Sequence, residues 1–429
     1  MLFYYWLAFI VPMPDHWLWG YQLGPLTVIK YVGLAALGAA LARLTAKGTA
    51  PPLYRLPEAW CTLIYLFVAF LSYSERDLSI MGFGELEKIL AILSLFIATV
   101  IMTDTEERFR RIILFAVAGQ TICSLYVVRQ WLQFSYSVRS FGGLTDDANY
   151  FAIAVVLWLP VALLSITGAR SRLEQTFYAV CTLTMLVGFL ISGSRGGLLG
   201  LALAALLLIL RSKERLRNLL LTAAAGLVLG AVSLFKHGSA LNRFLHPSAG
   251  DVASTHARLN LWAAALTAFK SHPLFGAGAL DFTVALSHDA RYNVAHNTYL
   301  DVLGQLGIAG FLPFLGILIL VYRRLGNLAD ARNQAPPTLR RAATGFQAGL
   351  AGYTVAAFFL SSWWQQVLWL MIFLSMCMPW LQPVAEAASE TPETKASRGP
   401  AARRSGSLPG RWAPPQHSPA RARSQTRLR

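Results

Sequence analysis

Long apolar runs separated by short polar connections repeat along most of this chain. A shorter run, Leu2–Pro12, lacks the basic start and small-residue cleavage site of a signal peptide, so it predicts a short or tilted first span. The longer runs come near the length of a spanning helix once their flanks are added, and together they predict an all-α, polytopic integral membrane protein with about twelve transmembrane helices. These runs are Leu26–Leu41, Ala59–Leu71, Ile89–Met102, Ile112–Leu132, Phe151–Leu164, Phe177–Ile191, Leu198–Leu210, Leu216–Phe235, Thr298–Tyr322, Ala343–Leu360 and Trp363–Trp380.

Composition and charge agree with this class. Of the 429 residues, 55% are hydrophobic and 14% are charged, whereas soluble domains are about 25% charged. The net charge of +16 would suit a nucleic-acid-binding protein, but the basic residues concentrate in alternate connections and in the C-terminal tail. By the positive-inside rule those loops and both termini are cytoplasmic, and no nucleic-acid partner is expected. The four cysteines fall within apolar runs without metal-ligand spacing, so they predict packing rather than disulfides.

The chain divides into four predicted parts. Residues 1–235 hold transmembrane helices 1 to 9, residues 236–296 form one long loop on the outside, and residues 297–384 hold helices 10 to 12. Residues 385–429 are rich in Pro, Ser, Gly and Arg and predict a disordered, basic cytoplasmic tail. The outside loop carries six of the eight histidines. Titratable chemistry therefore concentrates where water, lipid and a charged substrate meet.

The first candidate residue on the outer side is Arg195. It lies between Ser192 and Gly197 in a connection so short that the sequence predicts a Gly/Ser hairpin between two spans. Glycines let backbone N–H groups turn toward a bound anion, and arginine supplies a planar two-pronged donor for phosphate. An arginine that merely snorkels from a short turn to the interface is the competing interpretation.

The second candidate is Arg258, on a predicted helix over residues 255–270 that Ser254 or Thr255 would cap and that ends before Pro273. This segment is too short and polar to span, so it is expected on the outer membrane surface or against the helix bundle, with Arg258 facing headgroups or a cavity. A generic interfacial anchor is the alternative. The helix would carry one apolar stripe, formed by Leu259, Trp262, Leu266 and Phe269.

The third candidate is His296, where the polar loop becomes the next span. With Asn297 as the helix cap, the imidazole would lie at a helix N-terminus, whose dipole lowers its pKa and keeps the ring neutral. A neutral ring accepts a proton, and a phosphate is also favoured there. The alternative is a hydrogen-bonded structural histidine. Upstream, Pro273–Gly278 predicts a turn in which backbone comes close to a ligand.

Two further groups were weighed. Lys88 opens a span on the outer side, where it would contact a phosphate or a sugar, although a charged helix end without function is the commoner explanation. No histidine pair shows the spacing of a helical metal motif, and no nucleophile signature or P-loop is present. The sequence therefore predicts neither a metal site nor a cofactor.

Taken in order, four short motifs resemble the O-antigen ligase and polymerase superfamily, and most closely its lipopolysaccharide O-antigen ligase branch. The resemblance covers roughly Asn149 to Tyr322. The family often shows Asp-Pro-Asn before a middle span, whereas this chain has Asp147-Ala-Asn149, so no role is assigned there. The matching motifs are Ser194–Gly197, Arg258 with Trp262, Pro273–Gly278, and His296–Leu300 leading into Gly307.

The resemblance implies transfer of a glycan from undecaprenyl diphosphate to a hydroxyl of the lipid A–core oligosaccharide at the periplasmic face of the bacterial inner membrane. It implies a metal-independent, inverting reaction. His296 would be the general base, and Arg195 and Arg258 would bind the diphosphate, with Lys88 and Asn297 as further substrate-binding residues.

Other functions stay open at this point. An O-antigen polymerase and a protein O-oligosaccharyltransferase would use the same donor with another acceptor. A secondary transporter is a more distant alternative, because transporters place charge near the bilayer midplane on broken helices. In this chain the unusual cations fall at the predicted outer rim instead.

Overall fold

The computed structural model describes residues 22–23, 26–47, 52–76, 80–133, 147–220, 249–278, 282, 294–330, 332–333 and 335–381. The predictions made for Leu2–Pro12, for most of Leu216–Phe235, for His237, His246 and His288, and for the tail lie outside these residues. Strands β1 (Gln22–Leu23) and β2 (Leu26–Thr27) form a short antiparallel pair, and single 3-10 turns cover Leu53–Arg55, Ala357–Phe359 and Met378–Leu381. The α-helices are α1 (Val28–Lys47), α2 (Pro57–Arg76), α3 (Ile80–Met102), α4 (Glu106–Gln133), α5 (Ala148–Ile166), α6 (Arg172–Ser192), α7 (Arg195–Arg211), α8 (Ala249–Ser271), α9 (Thr298–Ala329), α10 (Pro337–Ala356) and α11 (Gln366–Cys377).

The predicted apolar runs and the observed helices coincide. Apart from Leu216–Phe235, every long run named above falls on an α-helix of the described residues. Among these, α1, α4, α5, α6 and α9 are long and apolar enough to cross a membrane, and α2 and α11 contain shorter apolar stretches. The helical, multi-pass membrane class is therefore confirmed, whereas the count of twelve spans and the placement of the long loop stay predictions.

Two helices are buried on all sides and form the centre of the bundle. Every residue of α5 from Phe151 to Ala162 is buried, and so is every residue of α11 from Val367 to Cys377. A helix that is apolar all round belongs in the interior. Around this centre α10 packs against α5 and α7, α9 packs against α2, and α6 packs against α4 and α5.

Glycines let α10 approach two neighbours closely. A Cβ built on Gly200 of α7 would lie 2.5 Å from the carbonyl oxygen of Gly352, and one on Gly352 would lie 2.6 Å from that of Gly200. A Cβ on Gly349 would lie 2.2 Å from the carbonyl oxygen of Leu157 in α5. Such contacts between small residues are the usual way in which membrane helices pack closely. They hold α5, α7 and α10 in one unit.

The glycine turn that follows α8 packs against a sharp kink in α9. Gly307 has φ 60° and ψ −163° inside α9, so the helix ladder breaks there. The freed amides of Ile308 and Ala309 donate to the carbonyls of Pro273 and Leu274, at 2.9 Å and 3.0 Å. A Cβ on Gly307 would lie 2.4 Å from the oxygen of Leu274. The close backbone approach predicted for this turn is thus made to α9, and it ties α8 to the bundle.

Candidate active site at one end of the helical bundle

The helix N-termini of α5, α7 and α9 carry side-chain caps at one end of the bundle, which we call the site end. Asp147 caps α5, Ser194 caps α7 and Asn297 caps α9, each by accepting from backbone N–H groups of the first turn. The hydroxyl of Ser194 also donates to Oδ1 of Asn149 at 2.8 Å, which joins α7 to α5. Helix N-termini carry partial positive charge, so this end favours an anion.

Arg195 is the first residue of α7. Helix α6 ends at Ser192, Gly193 takes a left-handed conformation with φ 66°, and Ser194 caps the next helix. The connection is therefore only two residues long, and Arg195 belongs to the helix rather than to the predicted hairpin. Only glycine adopts a left-handed turn at no steric cost, which explains how two antiparallel helices are joined so tightly. The turn places Arg195 directly beside the Ser194–Asn149 contact.

Arg258 lies inside α8, which is longer than predicted. The helix begins at Ala249, so Ser254 and Thr255 stand within it and the predicted cap was wrong. Residues 251–271 contain neither glycine nor proline. Nothing in the sequence therefore stops the helix from beginning several residues before Ser254. The predicted end before Pro273 is confirmed, since α8 finishes at Ser271.

The packed face of α8 differs from the predicted stripe. Leu261, Ala265 and Ala268 are buried, whereas Leu259 and Leu266 are on the surface. Alanine side chains are small, so the face that carries Ala265 and Ala268 lets α8 approach α9 closely. This face packs instead of the one that carries Leu259 and Leu266. Trp262 belongs to the predicted stripe and also packs against the buried face, where its indole is partly buried.

The peptide before His296 is held from two sides. The indole N–H of Trp262 donates to the carbonyl of Ala295 at 3.1 Å, and Oδ1 of the buried Asp301 accepts from the N–H of Ala295 at 2.8 Å. His296 itself has φ 51°, a left-handed conformation that costs a residue with a Cβ about 1 kcal/mol. Strained conformations of this kind persist where the surroundings fix them, and they cluster at functional sites.

The imidazole of His296 is neutral at neutral pH. Burial and the Arg258 guanidinium together lower the pKa of His296 to about 4, although the carboxylate of Asp147 acts in the opposite direction. Arg258 and Asp147 therefore both lie within electrostatic range of the ring. The sequence predicted this direction from the helix end, but burial and Arg258 are the causes that the structure identifies.

The start of α9 is fixed by a buried polar network. The hydroxyl of Thr298 donates to the carbonyl of Leu360 at 2.6 Å and accepts from the N–H of Ser362 at 2.9 Å. The hydroxyl of Tyr299 donates to the carbonyl of Thr354 at 2.8 Å. The amide oxygen of Asn297 accepts from two backbone N–H groups, and its side chain is buried. The contacts of Asn297 thus hold the helix end that carries His296.

Two aromatic rings connect Lys88 with the edge of this cluster. Its ammonium lies 5.6 Å from the ring centroid of Trp364, and the rings of Trp364 and Tyr150 are 5.3 Å apart. Tyr150 follows Asn149 at the start of α5, and Gln365 donates to its carbonyl at 3.4 Å. The structure therefore connects Lys88 with the first turn of α5.

Sequence reasoning missed several members of this cluster. Asp147 received no role because the family's proline is absent, yet it caps α5 and acts on His296. Asp301 had a visible signal, since a carboxylate in the first turn of an apolar helix is unusual, but Tyr150 and Trp364 had none. Across the ranges that the structure describes, no group of three or more His, Cys, Asp or Glu side chains could hold a metal ion.

Comparison with known proteins adds independent information. A family model described as O-antigen ligase matches residues 180–315, a segment that contains Arg195, Arg258 and His296. The chain is also 25% identical over 330 residues to an O-antigen ligase of Pseudomonas aeruginosa strain PAO1, and the match covers 73% of this chain and 76% of that protein. These findings confirm the resemblance drawn from the motifs, and they identify the chain as similar in sequence to the O-antigen ligase family.

Proposed function

We propose that this protein transfers a glycan from undecaprenyl diphosphate to a hydroxyl of the lipid A–core oligosaccharide. One observation supports this above all: a partly buried, neutral His296 lies within electrostatic range of the Arg258 guanidinium, at an end where capped helix N-termini favour an anion. The similarity to O-antigen ligases supports a glycosyltransferase-type enzyme of lipopolysaccharide biosynthesis.

The diphosphate is the charged part of this donor, and two arginines would bind it. Arg195 begins α7 and Arg258 lies one turn before Trp262, whose indole contacts the peptide preceding His296. Guanidinium groups hold phosphate oxygens through paired, charge-assisted hydrogen bonds. As the bond between the anomeric carbon and the phosphate oxygen breaks, charge builds on the leaving diphosphate. The arginines and helix dipoles stabilise that charge, typically by a factor of about a hundred or more per donor.

His296 would act as the general base. The acceptor hydroxyl attacks the anomeric carbon, its proton passes to the imidazole, and undecaprenyl diphosphate leaves with the bonding electrons. Direct displacement inverts the anomeric centre. The products are the glycosylated acceptor, the free diphosphate lipid and an imidazolium that returns its proton to water.

Donor binding would make His296 a stronger base. In the free protein burial, together with the positive charge of Arg258, depresses the pKa of His296 to about 4. A bound diphosphate brings negative charge beside Arg258, which offsets that depression and raises the pKa of the imidazole. Proton transfer to His296 is therefore favoured when the donor is in place.

Lys88 and Asn297 complete the proposed substrate-binding set. Lys88 adds positive charge at the rim beside Trp364 and Tyr150. Asn297 acts by holding the first turn of α9 in place. We further propose that the site end faces the periplasm, within a twelve-span protein of the bacterial inner membrane whose basic tail over residues 385–429 is cytoplasmic.

The test is glycan transfer by the purified full chain, reconstituted with defined undecaprenyl diphosphate-linked donor and lipid A–core acceptor. His296→Ala, Arg195→Ala and Arg258→Ala are each expected to lower the transfer rate about a hundredfold or more. His272→Ala and Arg323→Ala serve as matched controls that keep the rate. Full activity of His296→Ala would remove the proposed base, and activity that excess chelator abolishes and a divalent ion restores would refute the metal-free reaction.

The acceptor separates this proposal from the related ones. A ligase defect in cells leaves lipid-linked polymer intact and unattached, whereas a polymerase defect leaves single repeat units on the core. A protein O-oligosaccharyltransferase would label a protein acceptor in the reconstituted assay. Uptake or export of the lipid-linked glycan without any added acceptor would favour a secondary transporter.

A further inference from the structure

A small polar cavity lies at the end of the bundle opposite the site end. It is bounded by α4, α5, α6 and α10 and is partly open to solvent. Because Val161 and Ser165 of α5 line the cavity and Asn149 lies at the other end of this helix, the cavity is roughly 20 Å from the candidate active site. Its polar lining consists of Arg110, Ser165, Glu174, Tyr178, Thr338 and Arg341.

The two arginines of this cavity have different surroundings. The guanidinium of Arg110 donates to Oε1 of Glu174 at 2.7 Å and to the carbonyl of Gly168 at 3.2 Å. The guanidinium of Arg341 lies over Gly168, where an added Cβ would come within 2.8 Å of its Nε. Among the described residues no side chain or carbonyl accepts a hydrogen bond from the Arg341 guanidinium, although this side chain is only partly exposed.

Positive charge predominates around Arg341. The like charges of Arg110 and Arg340 both act on it, while Glu106 is the carboxylate that acts in the opposite direction. Glu174, which lines the cavity, already accepts from Arg110 and from the N–H of Arg170. Placing a guanidinium in a partly dry cavity among like charges costs free energy unless an anion accompanies it.

The start of α10 adds a second feature that favours an anion. Thr338 lines the cavity in the first turn of this helix, and Pro336, at the cap position, provides no side-chain acceptor for the first-turn N–H groups. Uncapped helix N-termini bind phosphate groups through those N–H groups and the helix dipole. A tetrahedral oxyanion is the ligand that such a helix end and a guanidinium fork share.

We propose that this cavity binds a phosphate group, carried by the headgroup of an anionic phospholipid or present as free phosphate. The lipid source fits the surroundings, because Leu163 of α5 and Leu173 and Val180 of α6 expose large apolar side chains near the cavity residues. Apolar surface beside a basic cavity is the pattern of lipid-headgroup recognition at a membrane interface. This site is separate from glycan transfer and does not depend on the function proposed above.

The test uses the purified full chain in detergent and measures bound lipid by native mass spectrometry. Dioleoylphosphatidylglycerol is titrated against dioleoylphosphatidylcholine, and a third arm adds inorganic phosphate alone and follows the unfolding temperature. Arg341→Gln is expected to weaken phosphatidylglycerol binding about tenfold. Arg323→Gln removes an exposed arginine of α9 that lies outside the cavity and is expected to bind like the unmodified protein.

A second variant leaves every charge in place. Gly168→Ala adds a methyl group where the Arg341 guanidinium lies, so it should displace that side chain and weaken binding in the same direction. Stabilisation by inorganic phosphate that Arg341→Gln abolishes would assign the cavity to free phosphate. Equal phosphatidylglycerol binding by the unmodified protein, Arg341→Gln and Gly168→Ala, without a phosphate effect, would overturn the proposal.

Discussion

The two ends of the bundle are held together by different forces. At the site end, helix caps and hydrogen bonds fix the geometry, including Ser194 with Asn149 and Trp262 with Ala295, and the ion pair of Lys30 with Glu87 lies at the surface. At the opposite end, ion pairs connect the helices, including Arg43 with Asp104 and Arg324 with Glu58. The comparison teaches that stability and chemistry are separable here: the buried ion pair of Arg324 with Glu58 lies at the end that provides cohesion, whereas caps and hydrogen bonds position the groups that would meet a substrate.

The largest expected effect on stability is at the opposite end. Both guanidinium arms of Arg324 contact the carboxylate of Glu58, whose side chain is 1% exposed. Arg324→Ala leaves a buried, uncompensated charge and should cost about 3–5 kcal/mol of unfolding free energy. Transfer activity per folded molecule should stay unchanged. Denaturant unfolding, measured beside a transfer assay, checks both parts, and a proportional loss of specific activity would contradict the separation.

At the site end we expect a smaller loss of stability with a larger loss of activity. Asp301→Ala removes the acceptor of the Ala295 N–H, which should cost about 1–3 kcal/mol. The peptide before His296 would lose one of the two contacts that hold it, so transfer should fall by more than the unfolded fraction explains. Asp301→Asn keeps an acceptor oxygen and serves as the control. Unchanged specific activity of Asp301→Ala would show that this contact is not needed for catalysis.

Removing a helix cap at the site end should lower the stability less than the two substitutions above. Ser194→Ala removes the cap of α7 and its hydrogen bond to Asn149, and replacing such caps typically costs about 1 kcal/mol. Because Arg195 follows directly, the affinity for the lipid diphosphate donor should weaken as well. Ser171→Ala, which removes the cap of α6 at the opposite end, should cost similar stability and leave donor affinity intact. Equal donor affinity in both variants would argue against a role for the α7 end.

The smallest effect is a shift in pH dependence. The carboxylate of Asp147 raises the pKa of His296, so Asp147→Asn, which keeps a capping side chain, should lower that pKa below its value of about 4. Because only the neutral imidazole accepts a proton, kcat/KM should fall as pH drops through the pKa, and the fall should occur at lower pH in this variant. For kcat the fall should occur at higher pH than for kcat/KM, since bound diphosphate raises the pKa. Identical acid limbs in both proteins would remove Asp147 from the account.

Much of the fold could be predicted from the sequence because membrane helices are constrained locally. A bilayer requires a long apolar run for each span, and such runs are visible without knowledge of tertiary contacts. Helix caps are also local, and Asn297 was recognised from its position alone. The predicted start of α8 was wrong because serine and threonine are preferred helix caps. The sequence does not show that Ser254 and Thr255 lie inside a longer helix.

The site was predictable only in part because most of its contacts join distant segments. Arg195, Arg258 and His296 were selected by residue type and by resemblance, since arginine and histidine are unusual on the outer side of a membrane protein. The contacts of Trp262 with Ala295 and of Thr298 with Leu360 join segments that are far apart in the sequence, and no spacing reveals them. The tilted ring contact between Trp364 and Tyr150 is likewise a tertiary contact.

The most direct measurement is a structure of the full chain in a lipid nanodisc with an undecaprenyl diphosphate-linked glycan bound. The account predicts the diphosphate between the guanidinium groups of Arg195 and Arg258, within about 3 Å of each, with the anomeric carbon facing the imidazole of His296. A diphosphate bound elsewhere, or one that contacts neither arginine, would contradict it.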